Sequence, residues 1–150
     1  MDIDFNIIKL SYQNLKKRIK KNEGFSQKPY KDQLGFLTIG YGHLILSGEK
    51  KLINNITKLK LERIFLEDFN KAIHSFNIFF RPFVGNKKDS ELLIEMIFQM
   101  GVNKVLKFKR LLAYVVKRNK YMVCFEMMNS LWYKQTPNRV KKLIHIYLKK

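Results

Sequence analysis

The chain has 150 residues, and 46% of them are hydrophobic against 28% charged, which suits one globular domain and leaves too much apolar material for a disordered segment. One cysteine, Cys124, rules out a disulfide scaffold, and 7 glycines and 3 prolines rule out collagen. Thirty Lys and Arg against 12 Asp and Glu give a formal charge of +18, a field that draws polyanions such as nucleic acid, anionic membrane or bacterial wall polymer.

In chain order, residues 3–22 predict a helix from Ile7, Ile8, Leu15 and Ile19, with Gly24 just past its end. Residues 25–46 are rich in strand formers, and Pro29, Gly35, Gly40 and Gly42 punctuate them. A small antiparallel hairpin or three-stranded sheet is expected, turning at Asp32–Gly35. Residues 47–55 read as a loop. From Thr57, a plausible N-cap, an apolar stripe through Leu61, Ile64, Phe65, Phe69, Ile73 and Phe76 predicts one helix over 57–80, stopped by Arg81-Pro82. Ser90 is the expected cap of the next helix. Further helices are expected over about 90–101, 104–118, 120–131 and 137–149, the last entered through Thr136-Pro137.

The expected fold is α+β and mainly α: a small β lobe over about 23–56, a connecting helix and a helical lobe over about 81–150 joined by the N-terminal helix. The basic excess is uneven. Residues 1–101 hold 17 basic and 11 acidic residues, whereas residues 102–150 hold 13 basic and 1 acidic. The first residues carry acids and no long apolar core, so no signal peptide is expected, and no stretch has the length of a membrane span. Synthesis and folding in the cytosol are expected, and work elsewhere would need a separate route of release.

Chemistry concentrates in Glu23-Gly24 … Tyr30-Lys31-Asp32 … Thr38-Ile39-Gly40-Tyr41-Gly42-His43. Two carboxylates in unlike environments are what glycoside hydrolysis needs: one protonated acid, and one ionised group that activates water. By themselves these residues also fit a solvated helix-end glutamate and a turn aspartate. One cysteine and three scattered histidines suggest no metal site, and no cofactor is expected. Cys124 and Trp132 are expected in the core, and His74 and His145 at the surface.

The spacing Glu23-x8-Asp32-x5-Thr38 with Gly40-x-Gly42-His43, then Phe98-Gln99-Met100-Gly101, then Trp132-Tyr133-Lys134-Gln135-Thr136-Pro137-Asn138-Arg139 resembles the T-even phage lysozyme family and its endolysin relatives over about residues 19–147. The resemblance implies a muramidase that cuts the β-1,4 bond between N-acetylmuramic acid and N-acetylglucosamine. It implies Glu23 as proton donor, Asp32 and Thr38 as holders of the attacking water, and His43 paired with Asp68. It also implies Arg139 and Gln99 as supporting residues from the helical lobe, and Gly42, Phe98 and Gln135 on the substrate. The stretch from His43 to Thr57 is shorter than the family's, which implies one surface helix fewer, and Met1–Tyr12 extends beyond the family's start. Glu95 stands where the family has asparagine. Peptidoglycan is the implied partner of an expected monomer, with an anionic wall or membrane surface against the basic half and no specific nucleic acid. A cationic wall or membrane binder with little hydrolysis is the alternative.

Overall fold

The computed structural model describes residues 12–150. The part of the expected first helix before Tyr12 lies outside the described residues. The chain divides into two compact units, one ending at Lys71 and the other spanning Ala72–Lys150.

In the first unit, helix α1 spans Gln13–Glu23. Leu15 and Ile19, one turn apart, are its buried residues. The helix stops where Gly24 takes φ +70 and its N–H reaches back to the Lys20 carbonyl, a stop that few side chains tolerate. Strands β1 (Ser26–Lys31), β2 (Leu37–Gly40) and β3 (His43–Leu44) follow. They form one antiparallel sheet in that order, with Tyr30 opposite Thr38 and Thr38 opposite Leu44. Residues 47–53, expected as loop, form a 3-10 helix, Ser47–Ile53. Its start is closed by the Glu49 carboxylate, which accepts the Leu46 N–H at 3.0 Å. The core under the sheet is Ile39, Leu61 and Ile64, flanked by Ile45, Leu52 and Ile56.

Helix α2, Lys58–Phe79, runs across the boundary between the units. Thr57 Oγ1 accepts the Lys60 N–H at 3.2 Å, so the hydroxyl takes one of the donors that the first turn leaves unmatched. A 3-10 turn, Arg81–Phe83, ends this run at Pro82.

The second unit is helical: α3 (Lys87–Met100), α4 (Val102–Leu106), α5 (Lys109–Val116), α6 (Lys120–Met128), α7 (Leu131–Gln135) and α8 (Pro137–Leu148). Helix α3 starts earlier than its sequence suggested. Asn86, not Ser90, is the cap: its Oδ1 accepts the Asp89 N–H at 2.8 Å, while the Ser90 hydroxyl donates to the Asn86 carbonyl. Asparagine keeps its acceptor on a short side chain outside the helix, whereas Ser90 already lies within the first turn and bonds back to the i−4 carbonyl. Six consecutive residues of α3, Leu92–Ile97, are buried, Glu95 among them, a stretch that is apolar but for that glutamate. The expected single helix over 104–118 is two, broken at Lys107-Phe108, where Phe108 leaves helical geometry at ψ 56 and sets its ring edge-on to Trp132 at 6.2 Å. The short α7 is capped by Ser130, whose Oγ accepts the Tyr133 N–H. Asp89, buried at the start of α3, accepts the Tyr147 hydroxyl of α8 at 2.5 Å.

Candidate active site

The carboxylate-bearing loop is built on local hydrogen bonds. Asp32 Oδ1 accepts the backbone N–H groups of Leu34 at 2.9 Å and Phe36 at 2.8 Å. Its own N–H donates to the Phe36 carbonyl. That same carbonyl accepts the Thr38 hydroxyl at 3.1 Å. The two peptide groups of Phe36 therefore hold Asp32 and Thr38 to one turn. Aspartate folds its carboxylate onto following amides readily, which is why it favours such turns. Both backbone bonds fall on Oδ1, which leaves Oδ2 for another donor. Thr38 is buried, and its donor is spent on Phe36, so toward any further group its oxygen acts as an acceptor.

Glu23 ends α1, and Gly42 lies against it in the turn between β2 and β3. Gly42 has φ +76, and a Cβ there would come within 2.7 Å of Glu23 Oε2 and 3.3 Å of Glu23 Cδ. Glycine is thus required twice, by the backbone and by the carboxyl packed on it. The Tyr30 phenol on β1 is raised above its ordinary value, first by burial and then by the negative fields of Glu23 and Asp32. One hydroxyl thus senses both carboxylates. Its position on the strand next to Asp32 was visible in the sequence, but a tyrosine among strand formers carries no mark of that neighbourhood.

His43 is clamped between two acids. Nδ1 lies 2.7 Å from Asp68 Oδ2 on α2, and Nε2 lies 3.0 Å from Glu49 Oε2 on the 3-10 helix. The hydrogen bond to Asp68, helped by Glu49, outweighs burial and holds the imidazole above its ordinary pKa. The Leu46 amide and His43 hold the Glu49 carboxyl below its ordinary range. Glu49 was missed in the sequence because its stretch read as loop. A second brace joins the three elements around Glu23. Lys20 of α1 meets Glu62 Oε2 at 2.5 Å, and the Tyr41 hydroxyl donates to Glu62 Oε1 at 2.6 Å. The Lys20 ammonium also lies 5.0 Å over the Tyr41 and Phe65 rings. Burial and Glu62 push the Tyr41 phenol up to about 12.

The first unit therefore brings Glu23, Tyr30, Asp32, Thr38, Gly42, His43 and Asp68 onto one sheet and its bordering helices. The other predicted site residues lie in the second unit. Gln99 of α3 accepts the Trp132 indole N–H at 2.9 Å. Phe98 precedes it on α3, Gln135 ends α7 and is exposed, and Arg139 is half-buried in the first turn of α8. Trp132 and Cys124 are core residues, and burial pushes the Cys124 thiol up. His74 and His145 are exposed. Among the described residues no cluster of His, Cys, Asp and Glu has the arrangement to hold a metal. None of their helices is long and apolar enough to cross a membrane.

Residues 20–145 match the phage lysozyme family model. The chain belongs to the phage lysozyme family. It is 32% identical over 159 aligned positions to probable T4-type lysozyme 1 of Dictyostelium discoideum, covering 89% of this chain and 92% of that protein. It is 28% identical to the peptidoglycan hydrolase gp36 of Pseudomonas phage phiKMV, covering 87% of this chain but 15% of the phage protein. A 26% match to the pre-baseplate central spike protein Gp5 of Enterobacteria phage T4 covers 87% of this chain and 27% of that protein. This family member is a glycoside hydrolase of the lysozyme class, with the lysozyme-like α+β fold.

Proposed function

We propose that this lysozyme is a peptidoglycan muramidase acting with inversion, with Glu23 as general acid and Asp32 and Thr38 holding the nucleophilic water. What supports this reading is a pair of unlike carboxyls that both act on Tyr30 of β1: Glu23 at the end of α1, packed against Gly42, and Asp32 in the turn after β1, tied through Oδ1 to that turn with Oδ2 left over. Glu23 protonates the glycosidic oxygen as its bond to the anomeric carbon breaks. A water hydrogen-bonded to Asp32 Oδ2 and Thr38 Oγ1 attacks the opposite face and passes a proton to Asp32. The sugar leaves with inverted configuration, and solvent restores both protonation states. Inversion calls for carboxyls roughly 6.5–9.5 Å apart, room enough for that water.

The resemblance assigns Arg139 and Gln99 supporting roles, and Phe98, Gln135 and Gly42 substrate contacts. It also favours one lysozyme domain acting as a monomer. The excess of basic residues in 102–150 supports association with an anionic wall or membrane surface.

Glu23→Gln tests the enzyme against a merely cationic binder, because it keeps shape and changes a charge of +18 by one. Release of reducing ends from purified peptidoglycan should fall roughly 10²–10⁴-fold, while binding to wall holds. Early NMR of the products should show the α-anomer first. Clearing at the parental rate by Glu23→Gln would overturn the assignment of the acid, and a β-anomer first would overturn the role of Thr38 and Asp32.

A further inference from the structure

Helix α6 carries apolar residues on its exposed surface as well as toward the core. Val123, Cys124 and Met127 face the core, yet Tyr121, Phe125 and Met128, spaced i, i+4, i+7, share a second face and are 79%, 50% and 48% exposed. A surface helix ordinarily turns polar residues away from the core, so a second apolar face is out of the ordinary. Leu131, at the start of α7, and Val116, at the end of α5, extend the exposed apolar set. Single exposed apolar residues need no explanation, but a stripe at helical spacing does.

Charge accompanies the stripe. Lys117, Arg118 and Lys120 are exposed at its N-terminal end. At its C-terminal end is a cavity of about 300 Å³ lined by Lys107, Lys109, Arg110, Glu126, Asn129 and Ser130, together with Phe108 and Leu111. Asn129 and Ser130 sit in the chain between Met128 and Leu131 of the stripe. A soluble anionic polymer would engage the cations and stack on Tyr121 and Phe125, but it would leave Met128, Leu131 and Val116 without a partner. A lipid surface uses both: amphipathic aromatics at the headgroup level, methionine and leucine below them, and cations against phosphates.

We propose that the exposed face of α6 docks on an anionic phospholipid surface, with the cavity at its end receiving a lipid phosphodiester headgroup. Glu126 in that cavity supplies an acceptor for headgroup hydroxyls or amines. This deepens the reading of residues 102–150 as an anionic-surface contact and names lipid as what it meets.

The test is co-sedimentation with vesicles of phosphatidylglycerol and phosphatidylethanolamine, and with vesicles of phosphatidylcholine alone. The parent should bind the first and not the second. Changing Tyr121, Phe125 and Met128 to Ser should weaken vesicle binding at least about tenfold. It should leave binding to purified wall and hydrolysis of soluble wall fragments unchanged, which shows that the fold survives. Changing Lys107, Lys109 and Arg110 to Gln should weaken vesicle binding by about fivefold per cation. Parental vesicle binding by the Ser variant would overturn the proposal. So would a parental dimer that the Ser variant dissociates in sedimentation, since a second copy would then be what covers the face. If neither binding to wall nor binding to vesicles responds to the cation variant, the anionic-surface reading itself fails.

Discussion

Gly42 illustrates how much one missing side chain decides. Alanine there would meet the Glu23 carboxyl and take a strained φ, so Gly42→Ala should cost about 1 kcal/mol or more in chemical denaturation. It should also lower hydrolysis beyond what that loss of stability explains, when measured at temperatures where the variant stays folded. His43 makes a different prediction, set by proton linkage. Its folded pKa lies above 6.5, so its contribution is complete below 6.5 and fades as pH rises through the folded value. Glu49 has a folded pKa below 4.5, so its contribution is complete above 4.5 and fades as pH falls through the folded value. The clamp is strongest in mild acid, between those limits. Glu49→Gln should lower the melting temperature more at about pH 5.5 than at about pH 9, on either side of the histidine titration. Equal losses at both would mean that the charge on His43 adds nothing to the 3.0 Å contact and that Glu49 acts through Leu46 alone.

At the scale of elements, the caps set where helices begin. Asn86→Ala should destabilise the protein by about 1 kcal/mol in thermal or urea melts, and Ser90→Ala by less, because only Asn86 accepts a first-turn N–H. The sequence pointed to Ser90 because serine before an apolar run is a familiar start, and nothing local told it from Asn86 four residues earlier. The same holds for the stretch after β3. Ser47–Ile53 has little apolar periodicity, and its helical turns rest on Glu49 closing onto Leu46 and reaching His43. The long α2 was legible almost to its ends, since its apolar stripe repeats over many turns and Thr57 caps it.

For the whole molecule, the formal charge of +18 is what the proposed association with an anionic surface rests on. Exposed cations act through solvent, so their attraction is screened as salt rises. Changing Lys141, Lys142, Lys149 and Lys150 to Gln should weaken association with intact wall and flatten its salt dependence. Hydrolysis of soluble fragments should stay near the parental rate. A parental salt profile in that variant would show that these lysines take no part in association.

Composition, periodicity and ordered motifs were sufficient by themselves for the family, the α+β plan and the long helix that starts after Thr57. These are properties of neighbours in the chain, where spacing is geometry. Tertiary structure alone decided what those residues touch. Glu49 joins His43 from a stretch with no signal of its own, and Lys20, Tyr41 and Glu62 close a brace across three elements. Trp132 finds Gln99 across 33 positions of sequence. Such contacts are made only when distant segments are packed together, and burial, not sequence spacing, sets their strength.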